Sequence, residues 1–419
     1  MDNILTKKVQ IQLSDYFSNA TSVGKPESRA MKDMVTGILK SQSVFVNQIA
    51  ASLRESLKLK DVAKRLSAQY LKEDYAEKVL GHHLSTASKS VGRDSFIIMD
   101  GTDISKKYAK FMEGLEFVKN GDTGEIGLGY NVLNINAING HKEITPLYSK
   151  AYSFEMGALS VNNEIKSAVR DVDTHLQGKG CWVIDREADN ETLKDFFTTQ
   201  CSSCIIRLKR NTRLIYKDEA LKVSQIAHGI QYPCTQSVTK IKKDRPVIKT
   251  YGLAAVKVMD NSKGNTKALW LVICKDKAHG GLCYLLVKSP LTCPIEVAQW
   301  AFKGYGLRWS IEEYHRHVKQ QYNLEDIQIK TFTGLQSMLA LLTVAMYIIY
   351  KKIRAIHFEL LLDAGYNYLN KHVVRELTNF IYYKISKVVA ILLMPTKSRW
   401  KIQRTPPLED QYKLNFMPI

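Results

Sequence analysis

The chain has 419 residues, 45% of them hydrophobic and 24% charged, which supplies a large core and excludes a disordered or disulfide-stapled chain. Lys and Arg number 60 against 41 Asp and Glu, a formal net charge of +19 that favours a polyanionic partner, nucleic acid before an anionic membrane surface. At roughly 150 residues per domain this length predicts two to three domains, and the 7 cysteines, an odd count, read as reduced thiols of a cytosolic protein.

The first segment, MDNILTKKVQIQLSDYF, lacks the basic-then-apolar layout of a signal peptide. From 27 to 90 the chain reads as a run of helices. Met31, Met34, Val35, Ile38 and Leu39 recur at helical spacing, and Val44, Val46, Ile49, Ala50 and Leu53 repeat the pattern. Pro26 and Glu27, with Ser28, fit a helix start. Arg29, Lys32, Lys40, Arg54, Lys58, Lys60, Lys64 and Arg65 lie among the apolar positions, as on a solvated face or on a small helical DNA-binding domain.

The pattern changes at Ser95. Phe96 to Met99 is a short apolar run that stops at Asp100. Tyr130 to Ile138 reads as a strand with one wet face, Asn139-Gly140 as a hairpin turn, and Glu143 to Tyr152 as the returning strand. Ile165, Val169, Val172 and Leu176 mark a helix over 160–177, ended by Gly178 and Gly180. Cys181 to Ile184 is a second apolar run, stopping at Asp185; a helix near 191–199 and a strand from Cys204 to Leu208 follow. Three strands with a hairpin, then helix, strand, helix, strand, is the element order of the ribonuclease H fold, which is only a prior on function. From about 212 to 290 the β-rich runs Val247–Tyr251, Leu253–Val258, Ala268–Cys274 and Leu282–Val287 predict a β insertion. Helical periodicity returns at Ile295 and continues, with breaks, to about 394. Its apolar stretch Met338 to Tyr350, about 13 residues, is short of the roughly 20 that span a bilayer and reads as a buried helix. The tail from Pro395 reads as irregular.

Asp100 and Asp185 each end an apolar run, which predicts a carboxylate at the edge of a buried sheet. If those strands are neighbours, the carboxylates converge. Close carboxylates repel unless a cation sits between them, and hard oxygen ligands point to Mg²⁺ or Mn²⁺. An aspartate ending a strand also serves as a turn or cap residue, so both readings stand. The segment YGLRWSIEEYHRHVKQQ, placed on one helix, puts Tyr305, Arg308, Glu312 and Lys319 on one face with His315 near its edge. Leu307, Ile311, Tyr314 and Val318 form the packed face. Glu312 as a metal ligand, with Arg308 and Lys319 holding phosphates, suits phosphodiester cleavage; a surface helix with an Arg308–Glu312 ion pair is the other reading. Arg207, Lys209, Arg210 and Arg213 cluster just after a strand, as DNA-backbone contacts or as a solvated edge that discourages aggregation.

The spacing Tyr-x2-Arg-x3-Glu-x6-Lys within this segment resembles the signature of cut-and-paste DDE transposases of bacterial insertion sequences. FIIMDGTDIS is similar to that family's first-aspartate segment and CWVIDREAD to its second, and the resemblance covers roughly residues 25–395. It implies Asp100, Asp185 and Glu312 as a catalytic triad holding two Mg²⁺ or Mn²⁺ ions. Water is the implied nucleophile of the first cut; the freed 3′-OH then attacks the opposite strand to form a hairpin, reopened before insertion into target DNA. Tyr305, Arg308 and Lys319 are implied to grip phosphates near the transposon tip. An aromatic of the β insertion is implied to stack on a flipped base. The family's tryptophan falls here at Tyr284, 28 residues before the glutamate, and Trp270 on the neighbouring strand is the second candidate; both could equally be core. Double-stranded DNA, at the transposon ends and the target, is the implied partner, bridged by a homodimer.

Other features carry less. Cys201-x2-Cys204 has no second pair to complete a zinc site. Asp103 and Asp189 read as supports behind the two aspartates or as caps, His82-His83 as a poor chelate, and His315 and His317 as DNA-proximal or solvated. The expected organisation is mixed α/β: a helical DNA-binding domain over 1–90, a ribonuclease H-like catalytic core over 91–333 with a β-rich insertion, and a helical C-terminal region over 334–419, whose apolar 334–350 segment could serve dimerisation. The expected setting is the cytoplasm of a bacterium or archaeon, at the nucleoid, with no membrane partner. The rivals are a nuclease of the same fold without strand transfer and a transposase-derived DNA-binding protein without catalysis.

Overall fold

The computed structural model describes residues 2–360 and 381–394, apart from 19, 21–22, 107, 110, 122, 243–244, 261–265 and 358. The irregular tail expected from Pro395, and part of the C-terminal helical region, lie outside the described residues.

Five helices lead: α1 (Asp2–Ser18), α2 (Lys25–Ser41), α3 (Val46–Leu53), α4 (Leu59–Tyr70) and α5 (Tyr75–Ala87). Pro26 in the first turn of α2 pre-sets its φ where no intrahelical N–H is needed. The sequence reading starts its helices at 27 and passes over α1, although Leu5, Val9, Leu13 and Tyr16 recur at helical spacing and are buried.

The strands are β1 (Phe96–Ser105), β2 (Glu116–Lys119), β3 (Ile126–Ile138), β4 (Ile144–Tyr152), β5 (Cys181–Ile184) and β6 (Cys204–Leu208), with α6 (Val161–Leu176) and α7 (Glu191–Gln200) as crossovers. Ser160 and Asn190 cap these two helices, each side chain accepting a first-turn N–H. β1 pairs antiparallel with β3 and parallel with β5, which pairs parallel with β6. The β3–β4 hairpin closes over 139–143. Asn139 Oδ1 accepts the N–H groups of His141 and Glu143, and Lys142, not Gly140, takes the left-handed conformation. A side-chain-anchored five-residue loop thus replaces the expected two-residue Asn-Gly turn.

The region from 212 to 290 holds β7 (Arg213–Tyr216), β8 (Glu219–Lys222), α8 (Val223–His228), β9 (Cys234–Lys242), β10 (Arg245–Asp260), β11 (Lys267–Asp276) and β12 (Leu282–Lys288). It is not a separate sheet. β12 pairs antiparallel with β6, Tyr284 opposite Leu208, so one sheet runs β2-β3-β1-β5-β6-β12-β11-β10-β7-β8, with β4 on β3 and β9 on β10. β6 is therefore an internal strand, which removes the solvated-edge reading of Arg207.

After α9 (Pro294–Leu307) and α10 (Trp309–Gln321) comes α11 (Phe332–Tyr347), which packs against β4, α5 and α2. With the π-helical turn that follows it, α11 forms a 21-residue helix, Phe332–Lys352, longer than the apolar stretch read from the sequence. By length and composition alone it could cross a membrane, but 83% of its most apolar window is buried inside the protein. It is apolar nearly all round because it is core. Its faces are already covered by the chain itself, so the packing does not support it as the dimer contact. The last described helix, α12 (Ile381–Leu393), packs on α1 and α2.

Candidate active site

β1 runs past Asp100, which pairs with Asn134 in mid-strand rather than ending the strand as its apolar run suggests. The physical reason is β3: it carries hydrogen bonds along all of β1, while the parallel pairing with β5 spans only Phe96–Ile98 against Cys181–Val183. β5 stops at Ile184. Asp100 and Asp185 therefore flank the place where two parallel strands part, the crevice at strand C-terminal ends where sheets of this kind bind ligands.

The third carboxylate comes from α10. Residues 305–321 keep the helical course expected of them, Arg308 included at φ −52° and ψ −35°, with one tightened turn where α9 meets α10: the Arg308 N–H bonds Tyr305 O and its carbonyl takes the Ile311 N–H, both at 3.1 Å. Tyr305 thus sits on the last turn of α9, and Glu312 and Lys319 on α10. Gly304 sets how close α9 lies. A Cβ there would stand 2.4 Å from Phe96 Cε1 and 2.8 Å from Ile205 Cδ1, so only glycine lets the helix rest on β1 and β6.

The side chains meet. Tyr305 Oη donates to Asp185 Oδ1 at 3.1 Å, and Arg207 Nη1 donates to Tyr305 Oη at 3.0 Å and to Asp185 Oδ1 at 3.4 Å. Arg308 donates from Nη1 to Asp100 Oδ2 at 2.9 Å and from Nη2 to Glu312 Oε1 at 2.6 Å. Lys319 stands apart from the three acids, its Nζ 3.3 Å from Asp103 Oδ1 and 3.0 Å from Glu325 Oε1.

Burial pushes the Asp100 carboxyl up to about 7; Arg308 opposes the rise, and the Glu187, Asp185 and Glu312 carboxylates add to it. Burial also raises Asp185, but the Arg186 N–H, the Arg308 and Arg207 cations and the Tyr305 hydroxyl outweigh it, holding Asp185 below its usual value. Burial, then Asp185, pushes Tyr305 up to about 12. At Asp100 burial thus outweighs its one cation, Arg308, while at Asp185 a backbone N–H, two cations and a hydroxyl outweigh burial.

Two residues of the CWVIDREAD segment gain roles that spacing alone did not assign. Glu187 adds a further carboxylate to the field at Asp100, and its own value is raised by burial and by Asp185. Asp189 is buried, and its Oδ2 accepts from the Lys209 N–H and the Thr212 hydroxyl. It pins the loop in which Lys209 and Arg210 stand exposed. The readable signal for both was a carboxylate two and four residues beyond Asp185. Trp309, 58% exposed beside Arg308, also went unremarked.

Tyr284 and Trp270 each pack in the sheet at 5% exposure, and Lys257 Nζ lies 3.9 Å from the centre of the Trp270 ring. His315 and His317 are neither solvated nor at the surface, a correction to the sequence reading. Both are buried, on different sides of α10: His317 bonds Tyr350 Oη and Ser386 Oγ, and His315 lies within the field of Lys319 and Arg308. Cys201 and Cys204 are buried, with both thiols pushed up by burial.

Carboxylate oxygens are hard donors, and the crowding of like charge at Asp100 is of the kind a divalent cation relieves, so the donor set fits Mg²⁺ or Mn²⁺. Among the described residues no three His, Cys, Asp or Glu side chains form a ready-made metal cage. Arg308 stands between Asp100 and Glu312.

Acidic side chains where parallel strands part are answered by arginine and tyrosine, in a chain of net charge +19. The family model for the transposase DDE domain matches residues 92–348, more than half of the chain, and the chain belongs to that family. Asp100, Asp185 and Glu312 all lie within the matched span, and α1–α5 precede it. No curated protein matches the chain.

Proposed function

We propose that this protein is a cut-and-paste transposase of an insertion sequence, cleaving DNA at the element's ends and joining the 3′-OH ends to target DNA. The observation that carries this reading is the grouping of Asp100 in β1, Asp185 just after β5 and Glu312 in α10: Arg308 bonds Asp100 and Glu312, Tyr305 bonds Asp185, and the Asp185 and Glu312 charges both act on Asp100. The order β4-β3-β1-β5-β6, antiparallel across the first three and parallel across the last three, supports a ribonuclease H-like core extended by the β insertion.

Asp100, Asp185 and Glu312 hold the divalent ions, Mg²⁺ or Mn²⁺, two per site. When bound, these supply the positive charge that favours attack on phosphorus and stabilises the leaving oxygen. Tyr305 and Arg207 orient Asp185. Arg308 and Lys319 bind phosphates of the transposon end, while Lys209 and Arg210 hold the backbone beyond it. Tyr284 or Trp270 stacks on a flipped base only after leaving its packed position. The N-terminal helices, with their lysines and arginines, bind the terminal repeat, and two copies of the chain bridge two ends at the nucleoid.

The test uses the full chain, a duplex ending in the element's own terminal repeat, and Mg²⁺ or Mn²⁺. Wild type is expected to cut at the repeat boundary and to join the new 3′-OH to a target duplex, while Glu312→Gln binds the duplex without cutting it. Equal cutting by both proteins overturns the triad. Cutting without joining replaces the transposase with a nuclease, and binding without cutting by either replaces it with a DNA-binding protein.

A further inference from the structure

We propose that Arg308 is an electrostatic latch that couples DNA binding to metal loading: it occupies Asp100 and Glu312 in the DNA-free protein and leaves them for a DNA phosphate. The proposal rests on the reading of Asp100, Asp185 and Glu312 as the metal ligands.

The latch follows from how Arg308 is held. Its backbone is fixed in the turn between α9 and α10, by its N–H on Tyr305 O and by the Ile311 N–H on its carbonyl. From there Nη1 reaches Asp100 on β1 and Nη2 reaches Glu312 one turn along α10. The Arg308 side chain is 13% exposed and its partners Asp100 and Glu312 are 21% and 32% exposed, so the pairs are partly shielded from water, the Asp100 pair the more so. A guanidinium carries one positive charge and five N–H donors, and Arg308 commits one donor from each Nη to the two carboxylates. A charge already balanced by two carboxylates draws a phosphate less strongly, and the two oxygens that accept from it are less available to a metal. Phosphate and metal thus each compete with one half of the same bridge, and each helps the other to bind. Such coupling is reciprocal: the factor by which DNA tightens metal binding equals the factor by which metal tightens DNA binding. Lys319 provides the contrast, since its partners Asp103 and Glu325 are not the proposed ligands.

The experiment is a calorimetric titration of Mn²⁺ into the full chain, alone and bound to a mixed-sequence duplex, for wild type, Arg308→Ala, Arg308→Gln, Lys319→Ala and Asp100→Asn. Without DNA, Arg308→Ala is expected to bind Mn²⁺ about tenfold more tightly than wild type, within the usual range of coupling factors. DNA is expected to tighten Mn²⁺ binding less in that variant than in wild type. Lys319→Ala, which loses the same charge, is expected to leave DNA-free Mn²⁺ affinity within about twofold of wild type. Arg308→Gln, which keeps most of the volume without the charge, repeats the Arg308→Ala result if truncation disturbs the fold. Weakened Mn²⁺ binding by Asp100→Asn, with no gain in either Arg308 variant, overturns the latch and leaves the triad standing. Equal gains in Lys319→Ala and Arg308→Ala also overturn it, since net charge alone then explains the effect. Unchanged Mn²⁺ binding by Asp100→Asn overturns the ligand reading itself.

Discussion

The hydroxyl of Tyr305, on the last turn of α9, donates to Asp185 Oδ1 at 3.1 Å across a sequence separation of 120 residues. Arg207 closes the group by donating to both. Tyr305→Phe keeps the ring and removes the donor that aims the carboxylate. Losing such a supporting bond typically costs about 10–100-fold in activity or metal affinity. The expected result is a fall of that size in the DNA-cutting rate with an unchanged melting temperature; an unchanged rate would remove Tyr305 from the mechanism.

Gly304 should be as sensitive as any charged residue nearby. Gly304→Ala drives a methyl into Phe96 and Ile205, and overpacking of this kind costs about 1–3 kcal/mol. The helix must lift off the sheet to relieve it, carrying Tyr305 away from Asp185. Denaturant melts and cleavage rates are expected to fall together, and a variant as stable as wild type would show that α9 is not held at this point.

Asp189 joins the second acidic segment to the basic loop after β6. Asp189→Ala leaves the Lys209 N–H and the Thr212 hydroxyl without their acceptor, at a cost of about 1–3 kcal/mol. Lys209 and Arg210 then lose their fixed position. Fluorescence anisotropy is expected to show weaker duplex binding with a shallower salt dependence, as when phosphate contacts are lost. Binding with the wild-type salt slope would mean that this loop does not touch DNA.

Stability should fall in acid. Burial pushes His315 and His317 down to about 3, with Lys319 and Arg308 adding at His315, and pushes His83 and His357 down to about 4. Below the ordinary value of 6.5 the unfolded chain takes up protons that the native chain refuses. The stability these groups contribute is therefore full above 6.5 and is lost as pH falls, by about 1.4 kcal/mol per pH unit for each group. Asp100 runs the other way: its raised value gives stability that is present in acid and lost as pH rises towards about 7. Asp173 and Glu187 are also raised by burial and act in the same sense as Asp100, but the four histidines are lowered by more, so urea midpoints are expected to drop from pH 6.5 to pH 5. His317→Gln retains partners for Tyr350 and Ser386 but cannot titrate, and is expected to flatten the slope. An identical slope in wild type and variant would refute the assignment.

The local facts were legible because they depend on near neighbours. The apolar runs before Asp100 and Asp185 are strands, the periodicity at Ile165, Val169, Val172 and Leu176 is a helix, and the Tyr, Arg, Glu and Lys spacing marked the family to which the chain belongs. Helix α1 is legible too, in the helical spacing of Leu5, Val9, Leu13 and Tyr16, all of them buried.

What the sequence by itself determined is the chemistry available: which residues are acidic, which are basic, and which apolar stretches must be buried. Tertiary structure alone decided what those residues do to one another. Spacing put Tyr305, Arg308 and Glu312 on one helical face, whereas the close approach of α9 to β1 and β6 at Gly304 sets where that face meets Asp185 and Asp100. Spacing offered His315 and His317 to solvent or to DNA, whereas the packing around α10 buries both. Arg308 sits one turn from Glu312 in any helix, but its bond to Asp100 spans 208 residues, and no local pattern encodes a pairing that exists only once a strand and a helix are packed together.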